Sequence, residues 1–511
     1  MTNDQTPFGG SPSPLAAAVV PAGGSPMVAS NFKETTQPQV IETVSVVEDV
    51  EPASYAAPEV VGVVPIAVVS VPTPALGIPV VNISDAEAPV HLRTITKRNF
   101  KAPLIMAALT ALLALLFWVQ SRPGITRFGI TNNQDLLAGF PELQPTGMHI
   151  AWAAIAIMAV MTVLAFLRSY AYRRQQLWVI AVFAFAAMMG FLAWAGAGAA
   201  GVINIIPLIG NALLLAIPLV FGALGGVIGE RAGVVNIAIE AQLLMAAFTA
   251  TVVASLTRSA LAGLLAAALA GLLVAAILGI FAINYRVEQV IVGVVLNVLV
   301  IGLTTFLLNG WLSTDPQRLN NTLLIRFQSW PIPGLSQIPI IGQALFNQNP
   351  LVYLMVLAVA AVWFALYRSR WGLRLRAVGE HPKAADTMGI KVNRTRWVAI
   401  LIAGAIAGLG GASYTLVANG AFNREMTNGF GYIALAAVIF GNWDPVRAAF
   451  AALLFGFAIS LQTMLSIIQS PVPSQVMLML PYVVTLLAVA GLVGKSRAPA
   501  ASGTAYTVEG H

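Results

Sequence analysis

The chain has 511 residues, of which 58% are apolar and 9% charged; an average soluble domain carries about 25% charged residues, so composition excludes an ordinary soluble protein. It has no cysteine and four scattered histidines (His91, His149, His381, His511), which excludes disulfides, thiolate chemistry and a histidine metal centre. The net charge of +7 sits mostly on bases in short loops, the pattern of an integral membrane protein and not of a nucleic-acid binder.

Residues 1–92 differ from the rest. They hold Lys33 alone against nine acids, and Pro, Val, Ala and Ser recur in stretches such as "SPSPLAAAVV" and "PTPALGIPVV". Prolines at this density prevent a stable helix or a central strand. The segment reads as a disordered acidic tail. No basic stretch precedes an apolar core, so it does not read as a signal peptide. A tail without specific function and a docking arm both fit it.

After "HLRTITKRNFK" the chain turns apolar. A bilayer crossing takes about 20 apolar residues. The candidate spans are 103–119, 148–167, 177–199, 203–228, 234–257, 260–283, 289–311, 350–367, 397–419, 431–441, 446–469 and 476–494. The expected fold is an all-α integral membrane protein, a polytopic bundle of about 10–12 transmembrane helices after a disordered tail. Residues 93–200 read as additional N-terminal spans, 201–497 as the main membrane core and 498–511 as a C-terminal tail. Arg93, Lys97, Arg98 and Lys101 precede the first span, so the N-terminus is expected in the cytoplasm. With twelve crossings the C-terminus lies there too, beside "RSYAYRRQQ" and the loop 368–396, which holds eight bases.

The stretch "GERAGVVNIAIEAQLLM" at 229–245 places Glu230, Arg231, Asn236, Glu240 and Gln242 within or beside apolar residues. Asn236 and Glu240 are four apart, the spacing of one helix face. With Arg231 at the membrane boundary, nine residues of helical rise put Glu240 about 13 Å deep, near the middle of a ~30 Å core. A carboxylate there costs at least ~2.5 kcal/mol unless it is paired, protonated or wet. Asn297 has a similar expected depth, and Asn211 lies in another span. These four residues are candidates for a solute path, where they can hydrogen-bond a neutral polar solute. Glue between helices is the plainer role for each Asn and for Gln242, at ~0.6 kcal/mol per bond. The break at "GERAG" fits either a tight turn at the boundary or a discontinuity deeper in the membrane, and its two charges, Glu230 and Arg231, favour the boundary. The short segment 431–441, between "NREMTNGFG" and "GNWDP", is the stronger candidate for a discontinuous helix.

In the basic loop, "EHPKAADTMGI" reads as a helix of about two turns. Pro382 suits the first turn, Ala384 and Ala385 are strong helix formers, and Gly389 suits a left-handed end. Its small residues let a partner surface approach closely. Nothing in the chain resembles an ATPase. "VAGLVGKS" at 489–496 has Val489 where a phosphate loop needs glycine, and it ends an apolar span. "GLGGAS" at 408–413 lies inside a span, where small residues serve close packing.

The segment "GEHPKAADTMGI" resembles the coupling loop of ABC importer permeases. "GERAGVVNIAIEAQLLMAAFTA" is similar to a signature of the nucleoside branch of the branched-chain amino acid and simple-sugar superfamily, the branch linked to basic membrane proteins. Its usual form has Gly where this chain has Ala241. "GFGYIALAAVIFGNWDPVRAAFAALLFG" resembles a late membrane segment of the same permeases. The resemblance covers roughly 200–495. It implies a permease subunit without an ATPase site of its own, for nucleosides or related simple sugars, in the plasma (inner) membrane. It further implies that Glu380, Pro382, Ala384, Ala385 and Gly389 belong to the element that couples to a separate ATPase. ATP and Mg would be held by that ATPase, and this chain would carry no cofactor. The other implied partners are a second permease, expected to be a paralogue, an extracytoplasmic solute-binding lipoprotein and the lipid bilayer. The competing readings are a branched-chain amino acid permease, an ion-coupled transporter with Glu240 as proton carrier, and a membrane scaffold.

Overall fold

The computed structural model describes residues 100–129, 143–171, 176–470, 472, 479 and 497–507. The acidic segment 1–92 and the "VAGLVGKS" stretch lie outside the described residues, as does the expected span 476–494 apart from Met479.

Three helices come first: α1 (Lys101–Val119), α2 (Gly147–Tyr170) and α3 (Leu177–Ala195). Then follow α4 (Ile205–Arg231), α5 (Ile239–Thr257), α6 (Ala260–Gly279) and α7 (Gln289–Leu307). Two short helices, α8 (Pro316–Leu319) and α9 (Ile341–Phe346), lie between α7 and α10 (Pro350–Arg368). After α10 come α11 (Arg370–Glu380), α12 (Pro382–Thr387), α13 (Val392–Ser413), α14 (Phe430–Phe440) and α15 (Pro445–Ile467). Strands occur only as two-residue pairs among the described residues: β1 (Phe128–Gly129) parallel to β2 (Ile203–Asn204), and β3 (Trp330–Pro331) antiparallel to β4 (Asn347–Gln348). The protein is therefore an all-α membrane bundle. Ten of the described helices are long and apolar enough to cross a bilayer, and α14 is a shorter apolar helix of 11 residues.

The two largest apolar cores among the described residues organise the bundle. The first joins α1–α3 to the far end of α15 through Phe117, Met158, Trp194, Leu461 and Leu465. The second runs through α4, α5, α7, α10 and α13–α15. α13 is central because its small residues let three helices approach its backbone. Gly408 faces the backbone of Ala267 in α6, Gly410 faces Pro218 and Phe221 in α4, and Gly411 faces the carbonyl of Leu243 in α5. This is the packing expected for "GLGGAS".

The basic loop 368–396 is more ordered than a single short helix. Ser369 caps α11, its Oγ accepting the Gly372 amide at 3.0 Å. Leu375 and Val378 of α11 are buried. α12 then begins at Pro382, as expected. Gly389 has φ +78° and closes the turn after α12.

Candidate functional site

α4 ends in a glycine-terminated turn. The Gly233 amide donates to the Glu230 carbonyl at 2.9 Å, and the Val234 amide reaches the Gly229 carbonyl at 2.9 Å. Gly233 has φ +89°, a conformation that an L side chain resists. The chain then climbs back along α4 as an irregular link, 232–238. Ile239, the first residue of α5, lies against Gly222 and Gly226 of α4, about 10 Å along the helix from Arg231. Asn236 is in this link, so the expected shared helix face of Asn236 and Glu240 does not exist. The physical reason is Gly233, whose left-handed turn ends one helix before the next can begin. The break at "GERAG" is thus a turn at the end of the 27-residue α4, and α5 begins further back along that helix.

α14 is the second broken helix. Ala434 lies against Gly222 and Val438 against Gly226, so α14 runs parallel to the last turns of α4. Its first turn meets the first turn of α5 at Glu240. The Thr427 hydroxyl and the Gly429 amide donate to Glu240 Oε1 at 2.6 and 2.9 Å. The Gly431 amide donates to Oε2 at 2.6 Å. All three contacts are donors, which suits an acceptor-only carboxylate. The positive ends of two helix dipoles also converge on it. Gly431 is needed because a Cβ there would strike the Glu240 backbone.

Asn297 of α7 ties the same junction from a third side. Its Oδ1 accepts the Ala241 amide at 2.9 Å, and its Nδ2 donates to the Ile237 carbonyl at 3.1 Å and the Tyr432 hydroxyl at 3.0 Å. The Ala241 amide is an orphan donor of the first turn of α5, so Asn297 caps that helix across the bundle. Gln289, at the start of α7, accepts the Val235 amide at 2.6 Å. Asn236 and Gln242 exchange two amide hydrogen bonds of 3.1 and 3.2 Å, and both side chains are fully buried.

Glu230 and Arg231 take a different partner. Trp443 Nε1 donates to Glu230 Oε2 at 2.5 Å, and Arg231 Nε donates to the Trp443 carbonyl at 2.9 Å. Neither residue bonds to Glu240 among the described contacts. Trp443 sits in the turn between α14 and α15, with φ +54°. This clamp fastens the end of α4 to the end of α14. Three of the four path candidates therefore meet at one junction. Asn211 does not: it is exposed on α4, 18 residues before Gly229, or about 27 Å along the helix. Thr427, Tyr432, Gln289 and Trp443 were not singled out from sequence. The "TNGFGY" run holds a helix-start signal, but nothing local names its partner.

The coupling candidates divide by face. Ala384 and Gly389 are exposed, Ala385 is buried and Pro382 half-buried. Only one of the two alanines therefore faces outward. Glu380 is exposed, and its Oε2 accepts the Ala500 amide at 3.3 Å.

Comparison with known proteins places this geometry in a family. The profile described as "Branched-chain amino acid transport system / permease component" matches residues 208–489, a range that includes the junction, α11 and α12. The guanosine ABC transporter permease protein NupQ of Bacillus subtilis is 39% identical over 58% of this chain and 94% of its own length. The nucleoside ABC transporter permease protein NupC of Lactococcus lactis is 37% identical over 58% of this chain and 96% of its own. A second guanosine permease of Bacillus subtilis, NupP, is 27% identical over 54% of this chain and 79% of its own. No solved structure matches. A multi-pass bundle with two broken helices, matched by this profile over more than half its length, belongs to the permease family of branched-chain amino acid-type ABC transport systems.

Proposed function

We propose that this chain is the membrane-spanning subunit of an ABC uptake system for nucleosides, with related simple sugars as the second substrate class. The observation that carries this reading is its similarity to NupQ and NupC over nearly their whole length. The work assigned to the chain is to open a solute path alternately to the two sides of the plasma (inner) membrane. Two helices that begin within the bundle suit that work, because broken helices form solute sites in other transporters. Asn236, Glu240 and Asn297 shape the path by holding the ends of α5 and α14, and exposed Asn211 is a candidate to line it. A proton carrier at Glu240 is not part of this reading: both carboxylate oxygens already accept bonds from Thr427, Gly429 and Gly431.

The energy comes from a separate ATPase subunit that holds ATP and Mg. Its docking element is α12, with Glu380, Pro382, Ala384, Ala385 and Gly389. Ala384, Met388 and Gly389 are exposed there. Both termini are cytoplasmic in this reading: 497–507 pack beside α11 in the basic loop and the Arg231 end of α4, and four bases, Arg93, Lys97, Arg98 and Lys101, precede the first span. An extracytoplasmic lipoprotein delivers solute to the opposite end. The second permease is a paralogue, a reading supported by similarity to two different guanosine permeases of one organism.

The test is reconstitution with the partner subunits in proteoliposomes, measuring uptake of labelled guanosine, glucose and leucine. Guanosine uptake that needs ATP and survives a protonophore is expected. Saturable leucine uptake without guanosine uptake would overturn the substrate reading.

A further inference from the structure

The segment 497–507 touches three separate stretches of the chain: the α4–α5 link, the run from α11 to α13, and the turn between α14 and α15. The Arg497 amide donates to Asn442 Oδ1 at 3.1 Å, in the turn between α14 and α15. The Ala501 amide donates to the Gly379 carbonyl at 2.9 Å, near the end of α11. The Gly503 amide donates to the Gly233 carbonyl at 3.2 Å, in the link between α4 and α5. Arg396, in the second turn of α13, donates from Nη1 to the Thr504 carbonyl at 2.8 Å. Tyr506 is buried with Val378 of α11, Ala385 of α12 and Val392 of α13.

Two details show that this contact is built in. Arg396 is only 2% exposed, and its Nε and Nη2 have no hydrogen-bond partner among the described residues. A buried cation near a helix N-terminus is unfavourable on both counts, so the Thr504 carbonyl matters to it. Gly233 lies where these parts meet: a Cβ there would press on Arg396 and on the Ala501 carbonyl. The same glycine ends α4 and opens the link to Glu240. α12 has six residues, and Ala385 is its buried one, seated against Tyr506.

We propose that 497–507 is a coupling strap. It holds the start of α13, the end of α11 and the α4–α5 link as one body, so that a push on α12 reaches the broken start of α5. Without it, the turn at Gly389 absorbs the push. The strap rests on the reading of α12 as the ATPase docking element.

The experiment uses the full transporter reconstituted with its ATPase and measures ATPase co-purification, ATP hydrolysis and uptake per ATP hydrolysed. Deletion of 497–511 is expected to keep co-purification and to lower uptake per ATP at least about tenfold, within the usual range of coupling between sites. Because truncation can destabilise a chain, Arg396→Ala is run beside it, with the same expected fall. Arg396→Lys, which keeps a cationic donor for the Thr504 carbonyl, is expected to keep the ratio within about threefold of wild type, well inside that coupling range. An unchanged ratio in the truncated and Ala variants overturns the strap. Loss of co-purification in step with the ratio also overturns it, since the segment would then be part of the docking surface. Ala384→Arg, on the exposed side of α12, tests the docking reading separately: intact co-purification and intact stimulated hydrolysis there would sink that reading, whatever the strap variants do.

Discussion

Glu240 and Gly431 join two helix N-termini inside one bundle: the carboxylate Oε2 accepts the Gly431 amide at 2.6 Å. The remaining oxygen accepts Thr427 and Gly429. Glu240→Gln is nearly the same size, but one end of its amide must face a donor. We expect a loss of about 1–3 kcal/mol, the cost of a buried donor left unsatisfied. Thermal unfolding of the purified protein in detergent checks it. Wild-type stability in the Gln variant would show that the three bonds do not hold the junction.

Asn297 and Tyr432 form another of the junction's cross-bundle bonds. Asn297→Ala strands the Ala241 amide and the Ile237 carbonyl, so it should cost more than Tyr432→Phe. A double-mutant cycle on stability should give a coupling of about 0.6–1.7 kcal/mol, the range for hydrogen bonds between membrane helices. Strict additivity would remove the bond from the account.

Two glycines separate packing from backbone conformation. Gly431→Ala drives a methyl into the Glu240 backbone, an overpacking expected to cost about 1–3 kcal/mol. It should also abolish most uptake. Gly389→Ala adds a methyl in open space at φ +78°, which costs about 1–2 kcal/mol through backbone strain alone. Its effect should fall on ATPase co-purification and leave the junction intact. Equal loss of uptake with intact co-purification in both variants would contradict this division.

Trp443 bonds a buried carboxylate. Trp443→Phe keeps most of the ring and removes the Nε1 donor to Glu230, whose side chain is 4% exposed. The expected cost is about 1.5–3 kcal/mol, as for hydrogen bonds to charged groups. Adding Glu230→Leu should recover part of it, because no charge then remains buried. A double variant less stable than Trp443→Phe would refute the pairing.

Some of this was legible in the chain itself. Apolar run lengths located every long described helix, and the Pro and Gly of "EHPKAADTMGI" marked both ends of α12. The "RAGV" turn carried a helix-stop signal, but the reading of a shared face for Asn236 and Glu240 passed over it. α11 was hidden because its arginines were read as topology signals, although Trp371, Leu375 and Val378 recur at helical spacing.

Hydropathy and helix-end chemistry are local, so the sequence alone determined that this is a multi-pass bundle, where its long helices run and that polar groups interrupt them. The tertiary structure decided what those groups are for. The partners of Glu240 lie 187 to 191 residues further on, and Arg396 meets Thr504 across 108 residues. A buried polar atom is satisfied by whichever backbone the fold brings beside it, and no local pattern names that neighbour.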